Sequence, residues 1–382
     1  MLLVADAFAR AIARPSKGSA VVIVRPDGFG DFVVWLDAAR ILREHYRDRE
    51  LILIAHQAFS ELAERSGYFD QVVPLDAERF RSELGYRFRM TRQIRALGAA
   101  TTLHPVLSRT FSIGDSVVRA TGAPDRIGFA GDHGNVSSAA KRLADSYYTR
   151  LVTNAPAGSS EFDQHRAFLD GIGLDSTAYG VACIPEDPVF ALPADVERPY
   201  LVIFPGSGQQ WRSWPPERFA KVARSVTDRH ALNIVICGSD LDRECCEAVE
   251  ACLAGMKFTS LVGRTSPVEL VEVIRRARLL VANDTSAVHI AAAVQTPSVC
   301  IVGGGHYGRF LPYPEGLTEH APRVVFKRLP CYGCNWHCTQ PYEEGDPVPC
   351  IQAVDSTAVL DAAESVLAKA GERGGADIRT TG

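Results

Sequence analysis

Short apolar runs that alternate with segments of helical spacing are the feature that most constrains this fold. The runs 20–25 (AVVIVR) and 51–56 (LILIAH) have the length and β-branched content of buried strands, and segment 31–46 between them places its apolar residues on one helix side. A third run, 71–76, follows another helical segment, 59–67. Repeated strand–helix–strand order is typical of a parallel sheet with helices on both faces. An α/β, doubly wound N-terminal domain is expected.

A second series of the same kind follows the proline- and acid-rich stretch 183–199, which we interpret as a linker. At 382 residues, the chain is longer than one compact core usually needs. We therefore predict an N-terminal domain, 1–190, and a C-terminal domain, 191–382, both Rossmann-like and facing each other across a cleft. The second domain includes a cysteine-rich segment, 331–350, and a closing helix, 356–370.

Composition excludes several functional classes. A net charge of −4 argues against a strongly basic nucleic-acid binder. The sequence contains no run of eighteen apolar residues, so no membrane-spanning helix is predicted. The stretch 1–19 does not resemble a secretory signal, because Asp6 and Arg10 interrupt its apolar part. An amphipathic helix is expected there, with a membrane-surface anchor as the alternative. We expect a cytoplasmic protein with reduced thiols.

The loop after the first strand, RPDGFGD, combines a tight turn with an acidic residue. Gly28 and Gly30 allow close backbone approach, and Asp31 opens the following helix. Ligands bind at the carboxyl ends of strands in such sheets, so this loop is a candidate site. Val33 occupies the third glycine position of the dinucleotide fingerprint, which argues against a nicotinamide cofactor. For Asp31, a plain N-cap carboxylate is the alternative.

The loop FPGSGQQWR in the second domain has the chemistry of a phosphate site. Gly206, Ser207 and Gly208 expose backbone amides suited to phosphate oxygens, and Arg212 supplies a cation.

The loop NDTSAVHI combines an acidic residue with a helix start. Thr285 and Ser286 offer free N–H groups at the positive end of the helix dipole, where a diphosphate could rest. Asp284 would repel a phosphate and is expected to contact a sugar hydroxyl instead. His289, one turn into the helix, is either a ligand contact or a structural histidine.

Cys331, Cys334, Cys338 and Cys350 form the pattern C-x2-C-x3-C-x11-C. Four thiolates within twenty residues predict a structural metal site for zinc, or alternatively iron. His337 could replace Cys338 as a ligand, and free thiols or a redox disulfide are the remaining alternatives.

Four blocks in order resemble glycosyltransferase family 9, the ADP-heptose:lipopolysaccharide heptosyltransferases. They are RPDGFGD, LSRTFSIGDSVVRATGAPDRIGF, FPGSGQQWRSWPPERFAKVA and VGRTSPVELVEVIRRARLLVANDTSAVHIAAAVQTPSV. The resemblance extends from about residue 20 to residue 370. It implies a GT-B fold, with the acceptor bound by the N-terminal domain and the nucleotide-sugar by the C-terminal one.

The resemblance also implies residue roles. Asp31 matches the general base, and Arg212 lies near the donor phosphates. The family's Asp-Thr-Gly falls on Asp284, for the sugar, and on Thr285 and Ser286, for the phosphates. Two further matched positions belong to the donor site: Thr265, near the nucleoside, and His289.

Acceptor contacts are expected from basic residues of the N-terminal domain. Arg109 and Arg126 fall within the family's acceptor-domain block, and His104 ends a predicted strand. The arginine-rich stretch 79–95 is either a solvated helix face or a surface for an anionic glycolipid acceptor.

Three positions depart from the family pattern. Ser286 replaces a glycine, Arg212 replaces a lysine, and Gly303–Pro314 replaces the Gly-Pro-Thr-Asp stretch. Because of these departures, the sequence does not determine whether the donor sugar is heptose or whether its nucleotide is ADP.

The expected function is inverting transfer of a sugar to a hydroxyl of lipopolysaccharide core or another cell-surface glycan, with ADP-heptose as the expected donor. No cofactor is required for catalysis, and peripheral association with the inner membrane is one option. Two alternatives remain. One is a transferase with a different nucleotide-sugar and a protein, polysaccharide or metabolite acceptor, and the other is a non-catalytic nucleotide-sugar-binding subunit.

Overall fold

The structure, a computed structural model, describes residues 6, 10, 11 and 18–377, with the last seven as backbone only. Most of the amphipathic helix predicted over 1–19 lies outside the described residues. The chain forms two compact units, Met1–Ala182 and Cys183–Gly382. The proline- and acid-rich stretch 183–199 begins the second unit and has no helix or strand.

The first unit contains a six-stranded parallel sheet of order β3-β2-β1-β4-β5-β6. Its strands are β1 Ala20–Arg25, β2 Leu51–His56, β3 Gln71–Leu75, β4 Ala99–His104, β5 Asp125–Phe129 and β6 Arg150–Val152. Its helices are α1 Phe29–His45, α2 Ser60–Arg65, α3 Ala77–Ser82, α4 Leu84–Arg95, α5 Ser116–Thr121, α6 Ser138–Asp145 and α7 Glu161–Gly171.

The second unit contains a six-stranded parallel sheet of order β12-β11-β10-β7-β8-β9. Its strands are β7 Tyr200–Phe204, β8 Asn233–Ile236, β9 Phe258–Ser260, β10 Leu279–Asn283, β11 Ser298–Ile301 and β12 Arg323–Val325. Its helices are α8 Pro216–His230, α9 Arg243–Cys252, α10 Pro267–Arg275, α11 Ser286–Ala293, α12 Pro349–Gln352 and α13 Ser356–Asp377.

The central strands are mostly apolar because both faces of each sheet are covered. Every residue of β1 and of β7 is buried, as strands of a doubly wound sheet require. Counted within its own unit, each sheet has the strand order 3-2-1-4-5-6. The order reverses between β1 and β4 and between β7 and β10, and ligands bind at such switch points, outside the carboxyl ends of the strands.

The sequence pattern located the long apolar strands better than the short or partly polar ones. It placed β1 and β2 at their observed bounds, whereas it missed β5, β6 and β12. β6 and β12 have only three residues each and are partly exposed, so they carry little hydrophobic signal. Among the helices that the structure describes, none is both long and apolar enough to cross a membrane.

Candidate functional site

Asp31 lies in the first turn of α1, in the loop region that follows β1. The N-cap of this helix is Gly28, which has extended backbone angles and no side chain to cap the helix. The N-cap alternative for Asp31 was therefore wrong. A Cβ atom on Gly28 would stand 2.8 Å from the Asp31 Oδ2 atom, so the carboxylate lies over the glycine and is partly exposed.

Arg25 joins the loops that follow β1 and β4. Its guanidinium, 1% exposed, donates to the carbonyl of Pro105 over 2.6 Å and pairs with Asp27 at 2.6 Å. It also donates to the backbone carbonyl of Asp31 over 3.1 Å. Burial raises the pKa of Asp27 to about 7 against the opposing effect of Arg25, and the Asp31 carboxylate adds to the rise. Sequence reasoning missed both Arg25 and Asp27.

His104 and Arg109, both predicted to contact the acceptor, belong to one buried network. Tyr148 Oη donates to Asp115 over 2.5 Å, and His104 Nδ1 lies 2.6 Å from the same hydroxyl. The proton of His104 is therefore assigned to Nδ1. Arg109 pairs with Asp115 at 3.4 Å and also contacts Asp145. Burial lowers the pKa of His104 well below its usual value, and the two nearby arginines add to this effect.

These contacts favour an internal, structural role for the polar groups that sequence reasoning assigned to the acceptor. Arg126 likewise donates to two backbone carbonyls. One is that of Tyr147, at 2.5 Å, and the other is that of Ala123. The arginine-rich stretch 79–95 contains both exposed and buried arginines. Arg79 and Arg81 form exposed ion pairs, whereas Arg87 is buried and pairs with Asp6 through two 2.6 Å contacts.

In the second unit, Asn283 fixes the loops at the switch point to each other. Its side chain donates to the carbonyl of Pro205 over 2.6 Å and accepts from the backbone of Trp214 over 3.1 Å. Sequence reasoning missed this residue, which ends β10 and is 1% exposed. The loops after β7 and β10, both predicted to bind phosphate, are thereby held together.

Gly206 and Gly208 serve the loop after β7 in different ways. A Cβ on Gly206 would stand 2.3 Å from Asp242 Oδ1, so only glycine fits there. Gly208 has a φ of 71°, a conformation that glycine adopts without cost. The hydroxyl of Ser207, between them, donates to Gln209 O over 2.6 Å and contacts Ser213. The side chain of Ser207 therefore stabilises the conformation of this loop.

Arg212 ends the short 3₁₀ turn Gln210–Arg212 and lies over two indole rings. Its guanidinium carbon is 4.6 Å from the centroid of Trp211 and 4.4 Å from that of Trp336. Burial lowers the pKa of Arg212, and Asp284 opposes this effect. Among the described residues, no carboxylate lies within ion-pair distance of Arg212. Its buried Nε also has no hydrogen-bond partner there.

The start of α11 combines Asp284, Thr285 and Ser286, all of them partly exposed. Thr285 is the N-cap, but its side chain makes no capping hydrogen bond. The first amides of this helix are thus not capped by that side chain, and they lie at the positive end of the helix dipole. The geometry provides anion-binding donors next to the Asp284 carboxylate.

His289 is 4% exposed, and its Nδ1 lies 2.8 Å from Tyr313 Oη. Burial lowers the pKa of His289 to about 4, so the ring is neutral at neutral pH. These contacts favour the structural alternative for this histidine. Thr265 lies in the loop after β9, just before Ser266, the N-cap of α10. In the same loop, a Cβ on Gly263 would stand 2.3 Å from Asp240, so this loop and Gly206 both pack on the turn Asp240–Asp242.

One small cavity is lined by all four cysteines of the predicted metal site: Cys331, Cys334, Cys338 and Cys350. Its volume is about 10 Å³, the space of one water-sized sphere. In the part of the chain that the structure describes, however, no three His, Cys, Asp or Glu side chains are arranged to hold a metal ion. Cys338 Sγ lies 3.5 Å from the carbonyl of Gln340, and the Gly304 N–H donates to Cys350 Sγ over 3.3 Å. The thiols therefore share a cavity without forming a coordination sphere.

Burial raises the pKa of the Cys350 thiol. The Gly304 N–H opposes this rise, and the other three cysteines add to it. The Cys350 sulfur thus lies near enough to each of the other three cysteines to interact with it electrostatically.

Comparison with known proteins gives the chain its relatives. It is 30% identical over 122 residues to lipopolysaccharide heptosyltransferase 3 of Escherichia coli K12. It is 29% identical over 163 residues to the lipopolysaccharide core heptosyltransferase OpsX of Haemophilus influenzae. These matches cover 31% and 41% of this chain. The chain spans 35% and 46% of the length of these two relatives.

Solved structures match over more of the chain. A glycosyltransferase family 9 protein from Veillonella parvula has 18% identity and a TM-score of 0.70, covering 94% of this chain and 99% of its own. The iron-containing heptosyltransferase TibC of enterotoxigenic Escherichia coli, in complex with ADP-D-beta-D-heptose, has 16% identity and a TM-score of 0.52. That match covers 92% of this chain and 77% of TibC. These likenesses confirm the predicted GT-B fold class.

The family assignment rests on more than half of the chain. The sequence pattern of glycosyltransferase family 9 (heptosyltransferase) matches residues 116–321, which include β5, the loop after β7 and the start of α11. The resemblance that the four blocks predicted is confirmed, and the chain belongs to glycosyltransferase family 9, the heptosyltransferases.

Proposed function

We propose that this protein is an inverting glycosyltransferase that moves heptose from ADP-heptose to a hydroxyl of lipopolysaccharide core or a related cell-surface glycan. One observation carries the proposal: Arg212 is a partly buried cation without an ion pair among the described residues, and it interacts electrostatically with Asp284, next to the side-chain-uncapped start of α11. That arrangement suits a diphosphate. The names of the relatives, which are lipopolysaccharide heptosyltransferases, support the sugar and the acceptor.

The donor is held mainly by the second unit. Arg212 faces the diphosphate, and the amides at Thr285 and Ser286 donate to its oxygens. The loop Gly206–Gly208 adds backbone donors. Asp284, which would repel phosphate, accepts from a sugar hydroxyl, and Thr265 lies near the nucleoside.

Transfer requires one base and one leaving group. Asp31 takes the proton of the acceptor hydroxyl while that oxygen forms a bond to the anomeric carbon. The bond from this carbon to the diphosphate oxygen breaks, and ADP departs with both electrons. Attack opposite the leaving group inverts the anomeric configuration. Arg212 and the helix amides stabilise the charge that develops on the diphosphate, so the residues in hand supply general-base and electrostatic catalysis without a cofactor.

The departures from the family pattern favour a second candidate, a different nucleotide-sugar with a protein, polysaccharide or metabolite acceptor. The specific observation is that Gly303, Gly304 and Gly305 are buried against aromatic rings of the cysteine-rich segment. This stretch replaces a motif of the family, so in the second candidate its contacts select a different donor.

A panel of ligands tests these donors. Binding to the folded state at 100 times Kd stabilises it by about 2.7 kcal/mol, which a thermal-shift assay detects. We expect ADP and ADP-heptose to raise the melting temperature more than the UDP or GDP equivalents. A larger shift with UDP- or GDP-linked sugars would favour the second candidate. No shift with any nucleotide would contradict both.

Cys331, Cys334, Cys338 and Cys350 are proposed to hold zinc or iron. The donor set of four thiols around one atom-sized cavity fits such an ion once the side chains turn inward, and TibC is an iron-containing heptosyltransferase. The ion would brace the irregular segment 331–350 and takes no part in transfer. Elemental analysis of anaerobically purified protein should find about one zinc or iron per chain, and its absence would contradict the proposal.

Sugar transfer is proposed to take place in the cytoplasm. If the acceptor is a lipid-linked glycan, it takes place at the cytoplasmic face of the inner membrane. Vesicle co-sedimentation with and without anionic lipid measures that association directly.

A further inference from the structure

The guanidinium of Arg212 is held by aromatic rings rather than by carboxylates. Trp211 and Trp336 meet edge to face, with centroids 5.5 Å apart and planes at 70°, and the Arg212 guanidinium lies against both. Trp211 is the neighbour of Arg212 in sequence, whereas Trp336 comes from the cysteine-rich segment 331–350. A cation held in this way keeps its charge available for an anion, because the rings contribute no countercharge.

The position of Trp336 is set by a loop from another part of the unit. A Cβ atom on Gly305 would stand 2.1 Å from Trp336 Cδ2, and one on Gly303 would stand 2.7 Å from Trp336 Cη2. The backbone of Trp336 has a φ of 63°, which is unfavourable for an aromatic residue. The glycines therefore provide the space for the indole, and the surrounding structure holds a strained backbone there.

Hydrogen bonds fasten the cysteine-rich segment on both sides of the indole. The N–H of Asn335 donates to Gly305 O over 3.1 Å, and that of Gly333 donates to Gly304 O over 2.8 Å. Farther along, the N–H of Val348 donates to the carbonyl of Trp211 over 2.9 Å. The segment is thus tied to the glycine loop and to the residue next to Arg212.

We propose that Trp336 is a positioning residue that orients Arg212 toward the donor diphosphate, so the cysteine-rich segment forms part of the donor site. This inference rests on the proposed function. The inference explains both departures from the family pattern, at Arg212 and at Gly303–Pro314. The planar guanidinium of an arginine stacks on indole rings, which the ammonium group of a lysine cannot do. The glycines leave the space that the indole occupies.

A double-mutant cycle on diphosphate binding tests the inference. Titration calorimetry with ADP and with inorganic pyrophosphate is performed on wild type, Trp336→Ala, Arg212→Ala and the double variant. Trp336→Ala should weaken binding roughly 3- to 30-fold, the range of a partly desolvated cation–π contact. In the Arg212→Ala background, the same change should have almost no further effect, because its target is gone.

Two more variants separate positioning from loss of structure. Trp336→Phe keeps a ring and should recover part of the affinity, and Gly305→Ala should weaken binding by displacing the indole without removing it. The matched control is Tyr342→Ala, an exposed aromatic residue of the same segment, which should bind like wild type.

The outcomes distinguish this inference from the proposed function. Diphosphate binding by wild type with additive losses in the cycle would overturn the positioning role alone, as would full affinity in Trp336→Ala. Binding of neither ADP nor pyrophosphate by wild type would overturn the donor site and the positioning role together.

Discussion

Asp31→Asn is expected to abolish sugar transfer while leaving the fold and nucleotide affinity almost unchanged. Asparagine keeps the size of the side chain above Gly28 but cannot accept a proton at neutral pH. Loss of a general base typically costs about 10²–10⁴ in rate. The donor contacts proposed for Arg212, Thr285 and Ser286 all belong to the second unit, whereas Asp31 belongs to the first, so ADP affinity should stay within a few-fold of wild type.

The structural cost follows from the position of Asp31 in α1. Gly28 is the N-cap and no side-chain cap exists, so the substitution removes only a charge from the first turn. Such a charge contributes about 0.3–1 kcal/mol through the helix dipole. For a unit of this size, a loss of about 1 kcal/mol lowers Tm by about 2–4 °C. A loss of activity far larger than this small change in stability would therefore report on chemistry.

The assay measures sugar transfer from ADP-heptose to a glycan acceptor on which wild type is active, with ADP binding followed by calorimetry. Glu78→Gln is the control, since Glu78 is an exposed first-turn carboxylate of α3 in the same unit. It should lose a similar fraction of stability and no activity. Turnover of Asp31→Asn within three-fold of wild type would refute the assignment of the base, and a tenfold loss of ADP affinity would refute the division of labour between the units.

Three further predictions concern stability. Cys334→Ser should lower metal content and Tm while kcat changes little, measured by elemental analysis, calorimetry and the transfer assay; unchanged Tm and metal content would contradict it. Burial lowers the pKa of His289 from 6.5 to about 4, so the unfolded chain binds the extra proton and stability is lost as pH falls through this window. By pH 5 that loss is about 2 kcal/mol. Urea unfolding at pH 7 and pH 5 measures it: between these pH values, the unfolding free energy of His289→Gln should fall by about 2 kcal/mol less than that of wild type. Asp6→Ala leaves the 1%-exposed Arg87 without its carboxylate and should cost about 3–5 kcal/mol; urea unfolding within 0.5 kcal/mol of wild type, roughly the effect of an ordinary surface substitution, would contradict it.

Local pattern alone determined the elements around the candidate site. Six-residue runs rich in apolar residues located β1 and β2, because a strand buried on both faces is mostly apolar. Ligands bind outside the carboxyl ends of such strands, so Asp31 and Arg212 could be predicted as site residues from position and residue type. The GT-B fold class followed from the same rhythm together with the family blocks.

The partners of polar side chains were decided only by the tertiary structure. His104 and Arg109 have the residue types of an acceptor site, yet Tyr148, Asp115 and Asp145 engage them inside the first unit. His104 and Tyr148 are 44 residues apart, and Arg25 and Pro105 are 80 apart. Which distant segments meet depends on strand order, which hydrophobic periodicity does not encode.

The same limit applies to the cysteine-rich segment. Its spacing predicted a chelating loop, and all four thiols do line one cavity. The sequence did not reveal that Trp336, between those cysteines, lies against Arg212 in the space left by Gly303 and Gly305. Sequence determined which segments carry charge, thiols and rings, because these are properties of single residues. Tertiary structure determined which of them touch, because a contact requires two distant segments to pack together.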